Sequence, residues 1–293
     1  MIELIPVLVA LVATTICAYD DWRTSYLNDK LVYAFLAFSI AWVFLFSQDI
    51  ASTFLIAGAV FGVGFVAYLF GQIGGGDVFL FTVLALLLPY YPSSFAPVAE
   101  FLGFSPVVGS PFPFVLSVFL LAGMLGPMLF YSSLYFIRIV RIRKKIKDFS
   151  KKIAKSLVYC AVLVPLFFFW HSFSSGMFLL FFPMATSFLI LPFKDDVTRF
   201  FCLEKKKVSR INDDDVIALE FMSEKTKKKL GLWRRTLTKP EIKKFKALAR
   251  KAKVTSVPVC EHLPKFVPFM LLSLVINLLL GDVILYLMFK VHF

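Results

Sequence analysis

The chain has 293 residues, of which 59% are hydrophobic and 36 are Phe, with a formal net charge of +13 and a mean hydropathy of +0.80. That is more apolar than a soluble domain needs, and it marks a polytopic membrane protein in which about 20 apolar residues cross a roughly 30 Å hydrocarbon core. The four cysteines are scattered with no CxxC pair, and no GxSxG, HExxH or P-loop is present, which excludes a disulfide framework, a zinc site and the common soluble catalytic motifs.

In chain order the candidate spans are Ile2–Tyr19, Leu31–Phe46, Thr53–Phe70, Val78–Tyr90, Pro113–Ile137, Ser156–Trp170, Gly176–Phe193 and Phe266–Phe289. Val78–Tyr90 and Ser156–Trp170 are short, so the fold class is an all-α polytopic membrane protein of six to eight helices. The N-terminus lacks a basic n-region and no cleavage site precedes Asp20, so the first span reads as retained rather than as a signal peptide.

The basic residues suggest the threading. With the N-terminus outside and eight spans, Asp20–Lys30, Gly71–Asp77, Arg138–Lys155 and Lys194–Lys265 face the cytosol and hold 31 of the 32 Lys and Arg; Lys290 is the exception. Lys194–Lys265 is the long polar stretch, read as a small α+β cytosolic domain inserted before the last helix. Val216–Phe221 is strand-like. Thr238–Lys253 reads as a helix, with a Thr238/Glu241 capping box, Pro240 in the first turn, and Ile242, Phe245, Leu248, Ala249 and Ala252 on one apolar face. Four blocks result: 1–137 as a membrane catalytic core, 138–193 as a basic loop plus an extra hairpin, 194–265 as the soluble domain and 266–293 as the last span. The domain's lysines suit anionic lipid headgroups; no aromatic stacking pattern supports nucleic acid.

Two acidic motifs then stand out: Asp20-Asp21-Trp22-Arg23 after the first span and Gly74-Gly75-Gly76-Asp77 after the third. Carboxylates at the edge of the hydrocarbon are costly, and this threading puts both motifs on one side. Two convergent carboxylates that share a proton can activate water and polarise a peptide carbonyl. The glycines permit close approach of backbone to Asp77. Each motif alone also reads as structural: an interhelical turn with a capping Asp, and an interfacial belt with Trp22 as anchor and Arg23 as stop signal. Asp282 is an acid well inside a span and reads as a structural hydrogen-bonding group. Asp195-Asp196 and Asn212–Asp215 read as turns, or as acidic islands receiving a basic peptide. Cys260-Glu261-His262 could contribute ligands in principle, but the scattered cysteines signal no zinc site, and His171 and His292 read as interfacial.

Asp21-Trp22-Arg23-Thr24 with Asn28 resembles the first aspartate motif of prepilin and preflagellin peptidases, and Gly74-Gly75-Gly76-Asp77 matches their GxGD motif. The charged segment, its Thr238–Lys253 helix and the Pro-rich start of the closing stretch Val257–Phe289 resemble the archaeal branch of that family; Arg138–Phe193 has no evident counterpart. The resemblance implies an aspartic endopeptidase with Asp21 and Asp77 as its catalytic pair, supported by Gly74, Gly75, Gly76 and Arg23. It implies no cofactor or metal. The substrates would be archaellin or type IV pilin-like precursors, cut after a Gly in a class III signal peptide at the cytosolic membrane face. Many members carry Lys two residues after the GxGD aspartate, where this chain has Phe79. Tyr19-Asp20 is similar to the YD motif of presenilin-like proteases, which would use Asp20, but their Pro-Ala-Leu is missing near the last span. A transporter or scaffold would instead show acids near mid-membrane and an internal repeat.

Overall fold

The computed structural model describes residues 4–24, 27–69, 73–104, 113–171, 178–212, 215–232, 237, 239–260 and 265–284. It is mostly helical and divides into two compact units. One comprises residues 1–62, 76–194 and 264–293; the other comprises residues 63–75 and 195–263.

The first helices are α1 (Leu4–Thr24), α2 (Asp29–Phe46), α3 (Ile50–Leu69) and α4 (Gly75–Leu87). The Asn28 side chain caps α2 by accepting from Lys30 N at 3.2 Å, and Asp49 does the same for α3 from Ser52 N at 3.0 Å. The short α5 (Ala96–Phe101) precedes α6 (Phe114–Gly123), which runs through a π-helical stretch, Met124–Tyr131, into α7 (Ser132–Arg141). Pro127 within this stretch lacks an amide hydrogen, so the regular ladder cannot continue there; Ser132 Oγ donates to the Pro127 carbonyl at 2.9 Å. Then come α8 (Phe149–His171), α9 (Phe178–Ile190) and the single turn α10 (Lys194–Val197).

Helices therefore fall on the seven apolar spans before the soluble segment. By length and composition, four described helices suffice to cross a membrane: α1, α2, most of α3, and the continuous run Phe114–Arg141. Gly75–Leu87 is apolar but shorter. On α2 and α3, Leu45 and Leu55 are about three-quarters exposed, as suits helices that face lipid rather than a protein core.

The second unit contains a three-stranded antiparallel sheet, β1 (Leu203–Lys207), β2 (Val216–Ile217) and β3 (Ser256–Cys260), in the order β1-β3-β2. Helices α11 (Glu224–Leu230) and α12 (Lys239–Lys251) accompany it. The strand expected over Val216–Phe221 is only two residues long and turns at Leu219–Phe221 into a 3-10 helix. Ile211, Ile217, Phe245, Ala249, Val257 and Val259 form its core. Ile242 of α12 is buried as expected, whereas Leu248 lies at the margin, 37% exposed. Thr238, the expected cap, lies outside the described residues. Asp215 turns inward, bonded to Lys206 Nζ at 2.7 Å and to Asn212 N at 2.8 Å. Asp213 and Asp214 lie outside the described residues, as do Glu261, His262 and His292.

The closing helix is α13 (Val267–Leu280), on the last predicted span, whose final residues lie outside the described ones. It packs against α6 through a buried polar network: Ser117 Oγ donates to Asn277 Oδ1 at 3.0 Å, and Ser273 Oγ to the Val118 carbonyl at 3.0 Å. In an apolar solvent such groups must be satisfied internally. The helix stops at Gly281, whose φ of 83° favours glycine, with Asp282 buried immediately after.

Candidate active site

The buried residues of α1 form one stripe: Val7, Ala10, Thr14, Cys17 and Ala18, closing on Asp21. Helical periodicity sets this outcome, because Cys17 and Asp21 stand four residues apart and share a face. The neighbours of Asp21 point elsewhere. Trp22 is exposed and Asp20 is half-buried. Thr24 Oγ1 donates back to the Asp20 carbonyl at 2.9 Å in the helix's last turn.

A carboxylate that is 92% sheltered needs donors. Asp21 finds them at the start of α13. Its Oδ2 accepts from the Val267 N–H at 3.1 Å, and the neighbouring Phe266 amide also favours its charge. The residue before them is tied down as well. Lys265 N donates to the Tyr131 hydroxyl at 2.8 Å, Lys265 Nζ donates to the Trp22 carbonyl, and the ammonium sits 5.3 Å from the centre of the Trp22 ring.

Asp77 occupies the first turn of α4, where the helix dipole favours a carboxylate. The glycine before it is there for space. A Cβ on Gly76 would lie 2.9 Å from both Cβ and Cδ1 of Leu27, in the link between α1 and α2, whereas a Cβ on Gly75 would meet Tyr68 at an ordinary 3.5 Å. Gly74 is exposed. Phe79, two residues after Asp77, packs its ring 5.2 Å from Tyr33 and 5.7 Å from Phe61. One turn beyond Asp77, Phe81 lies 5.8 Å from the Phe266 ring and 4.9 Å from Phe119. The helix bearing Asp77 thus packs on the residue whose amide faces Asp21.

The two motifs converge. The fully buried Cys17 thiol lies within electrostatic reach of the carboxylates of Asp20, Asp77 and Asp21. Residues 8–135, which carry both motifs, match the family described as type IV leader peptidase. The chain is also similar to the prepilin peptidase EppA of Methanothermobacter thermautotrophicus, 27% identical over 130 residues, covering 40% of this chain and 32% of that protein. The match thus spans about a third of the relative's length. No solved structure matches the chain.

Within the matching segment, Arg23 is exposed and its Nη1 lies 3.5 Å from the Tyr19 hydroxyl. Tyr131, Lys265 and the amides at the start of α13, which reading the sequence did not single out, gather on the Asp21 side of the site. Tyr131 carried no signal in an aromatic-rich span. Lys265 had one weak sign, a cation at the start of a Pro-containing helix. Among the described residues, no group of three or more His, Cys, Asp or Glu could hold a metal ion.

Proposed function

We propose that the chain is an aspartic endopeptidase that removes the class III signal peptide of archaellin or type IV pilin-like precursors. Asp21 and Asp77 are its catalytic pair. The observation that carries this reading is the gathering of two carboxylates from separate helices around Cys17, inside the segment that matches a family of leader peptidases. The name of the archaeal relative, a prepilin peptidase, supports the substrate class.

In this mechanism one carboxylate is ionised and takes a proton from water, whose oxygen attacks the scissile carbonyl carbon. The protonated partner donates to the carbonyl oxygen, and a proton then passes to the leaving amine. The glycines before Asp77 leave room for an extended peptide, and hydrolysis here needs no cofactor. The chain lies in the cell membrane with its N-terminus outside. Cleavage then occurs at the cytosolic face, where the lysines of the 194–265 segment meet anionic headgroups.

The test is cleavage of a purified archaellin or pilin precursor by the detergent-solubilised protein. Asp21→Asn and Asp77→Asn are expected to reduce the rate by more than about 10³-fold while leaving the fold intact. Retained cleavage by either variant overturns the assignment.

A further inference from the structure

The start of α13 does more than pack. Two interactions fix it against the end of α1, the Val267 amide on Asp21 and the Lys265 side chain on Trp22, and a third, the Lys265 amide on Tyr131, ties it to the π-helical stretch. Each joins residues more than 130 positions apart, and together they surround the one buried carboxylate of the site.

Asp21 needs that help. It stands in the last turn of α1, where the dipole opposes a negative charge. Asp20 on the same helix and Asp77 on α4 add like charge nearby, and Cys17, one turn back, offers no cation. The groups facing it from other elements are the two α13 amides, the Lys265 ammonium and the Tyr131 phenol. Asp77 is different, since the start of its own helix favours its charge.

We propose that Tyr131 and Lys265 are positioning residues of the catalytic centre: they pin the start of α13 so that its amides hold the buried Asp21 carboxylate in place. This rests on Asp21 and Asp77 being the catalytic pair.

Tyr131 suits the task. It ends the π-helical stretch Met124–Tyr131, a feature often found at functional sites. Its ring is lodged against Phe130 at 5.3 Å and Phe269 at 5.8 Å, so the hydroxyl is held in place. The stretch approaches α13 closely as well: a Cβ on Gly126 would lie 2.8 Å from the Phe269 ring.

The test uses the full-length protein and a precursor substrate, with kcat and KM measured across pH. Tyr131→Phe keeps the ring and removes the acceptor. It is expected to lower kcat on the order of tenfold, about the net worth of one hydrogen bond, with KM unchanged. Weaker support for the charged form makes Asp21 harder to ionise, so the limb of the kcat profile that reports Asp21 moves up by roughly one unit. Lys265→Met is expected to move the limb the same way. Lys265→Arg, which keeps a cation for the Trp22 carbonyl and ring, restores it. The lysine pair decides the matter if Tyr131→Phe fails to fold. A kcat profile whose limbs both stay put in Tyr131→Phe and in Lys265→Met overturns the proposal, even if both proteins melt earlier. Cleavage by Asp21→Asn would instead overturn the catalytic pair itself, a distinguishable result.

Discussion

Asp21 and Asp77 reach the same neighbourhood by opposite routes. Asp77 is set locally: a glycine makes room against Leu27 and the first turn of α4 presents the carboxylate. Asp21 is set by partners 245 and 246 residues away, because it ends a helix and must borrow the start of another. One half of the site is therefore written in four consecutive residues and the other half requires the whole membrane unit to assemble. If that is right, the two carboxylates can be disturbed separately. Neutralising either abolishes cleavage, the largest effect expected, but milder changes should divide cleanly between them.

Gly76→Ala is the sharpest of these. Its Cβ would press on Leu27 at 2.9 Å, an overpacking that costs typically about 1–3 kcal/mol. The turnover rate is expected to fall about 10- to 100-fold. Leu27→Ala, by opening the space, is expected to recover most of it in the double variant. Gly75→Ala, facing Tyr68 at an ordinary distance, is the matched control and is expected to lose less than about threefold. Equal losses at the two glycines would show that the tight approach to Leu27 has no special role. Combining Gly76→Ala with Tyr131→Phe tests independence directly: separately held carboxylates give additive energies in kcal/mol, and a large coupling breaks the contrast.

These local and distant dependences also explain what could be read from the chain. The helices were legible because long apolar runs leave few alternatives. The GxGD motif was legible because its constraints are consecutive. Strands β1 and β3 were not. Leu203–Lys207 is mostly charged, and β3 places Pro258 in the middle of the sheet, where a residue without an amide hydrogen argues against a central strand. Here the sheet tolerates it because the Pro258 carbonyl still accepts from Ala218 N at 3.0 Å. The partners of Asp21 were invisible for a different reason: no local pattern reports a hydrogen bond that closes across nearly the full chain.

The two halves meet at the Phe81–Phe266 contact, which joins the Asp77 helix to the residue whose amide faces Asp21. Phe81→Leu keeps an apolar side chain there but removes an aromatic pair worth about 0.5–1.5 kcal/mol beyond its area. A loss of turnover of about three- to tenfold is expected, with a slightly lower melting temperature. A change in KM alone would mean that this contact serves substrate binding and not the alignment of the pair.

The smallest effect is expected one residue away from the largest. Asp20 adjoins Asp21 in sequence, yet the helical turn sets Asp21 on the buried stripe and leaves Asp20 half-exposed beside it. Asp20→Asn keeps the shape and removes one like charge from the neighbourhood of Cys17 and Asp21. Less repulsion makes Asp21 easier to ionise, so turnover at neutral pH is expected to stay within about twofold of the unmodified protein, and the limb that reports Asp21 is expected to move slightly down. A protease of the presenilin type would rely on Asp20 instead, and its loss would then be total. Assayed with Asp21→Asn, the variant turns a shift of one position along a helix into a difference of more than about 10³-fold in rate.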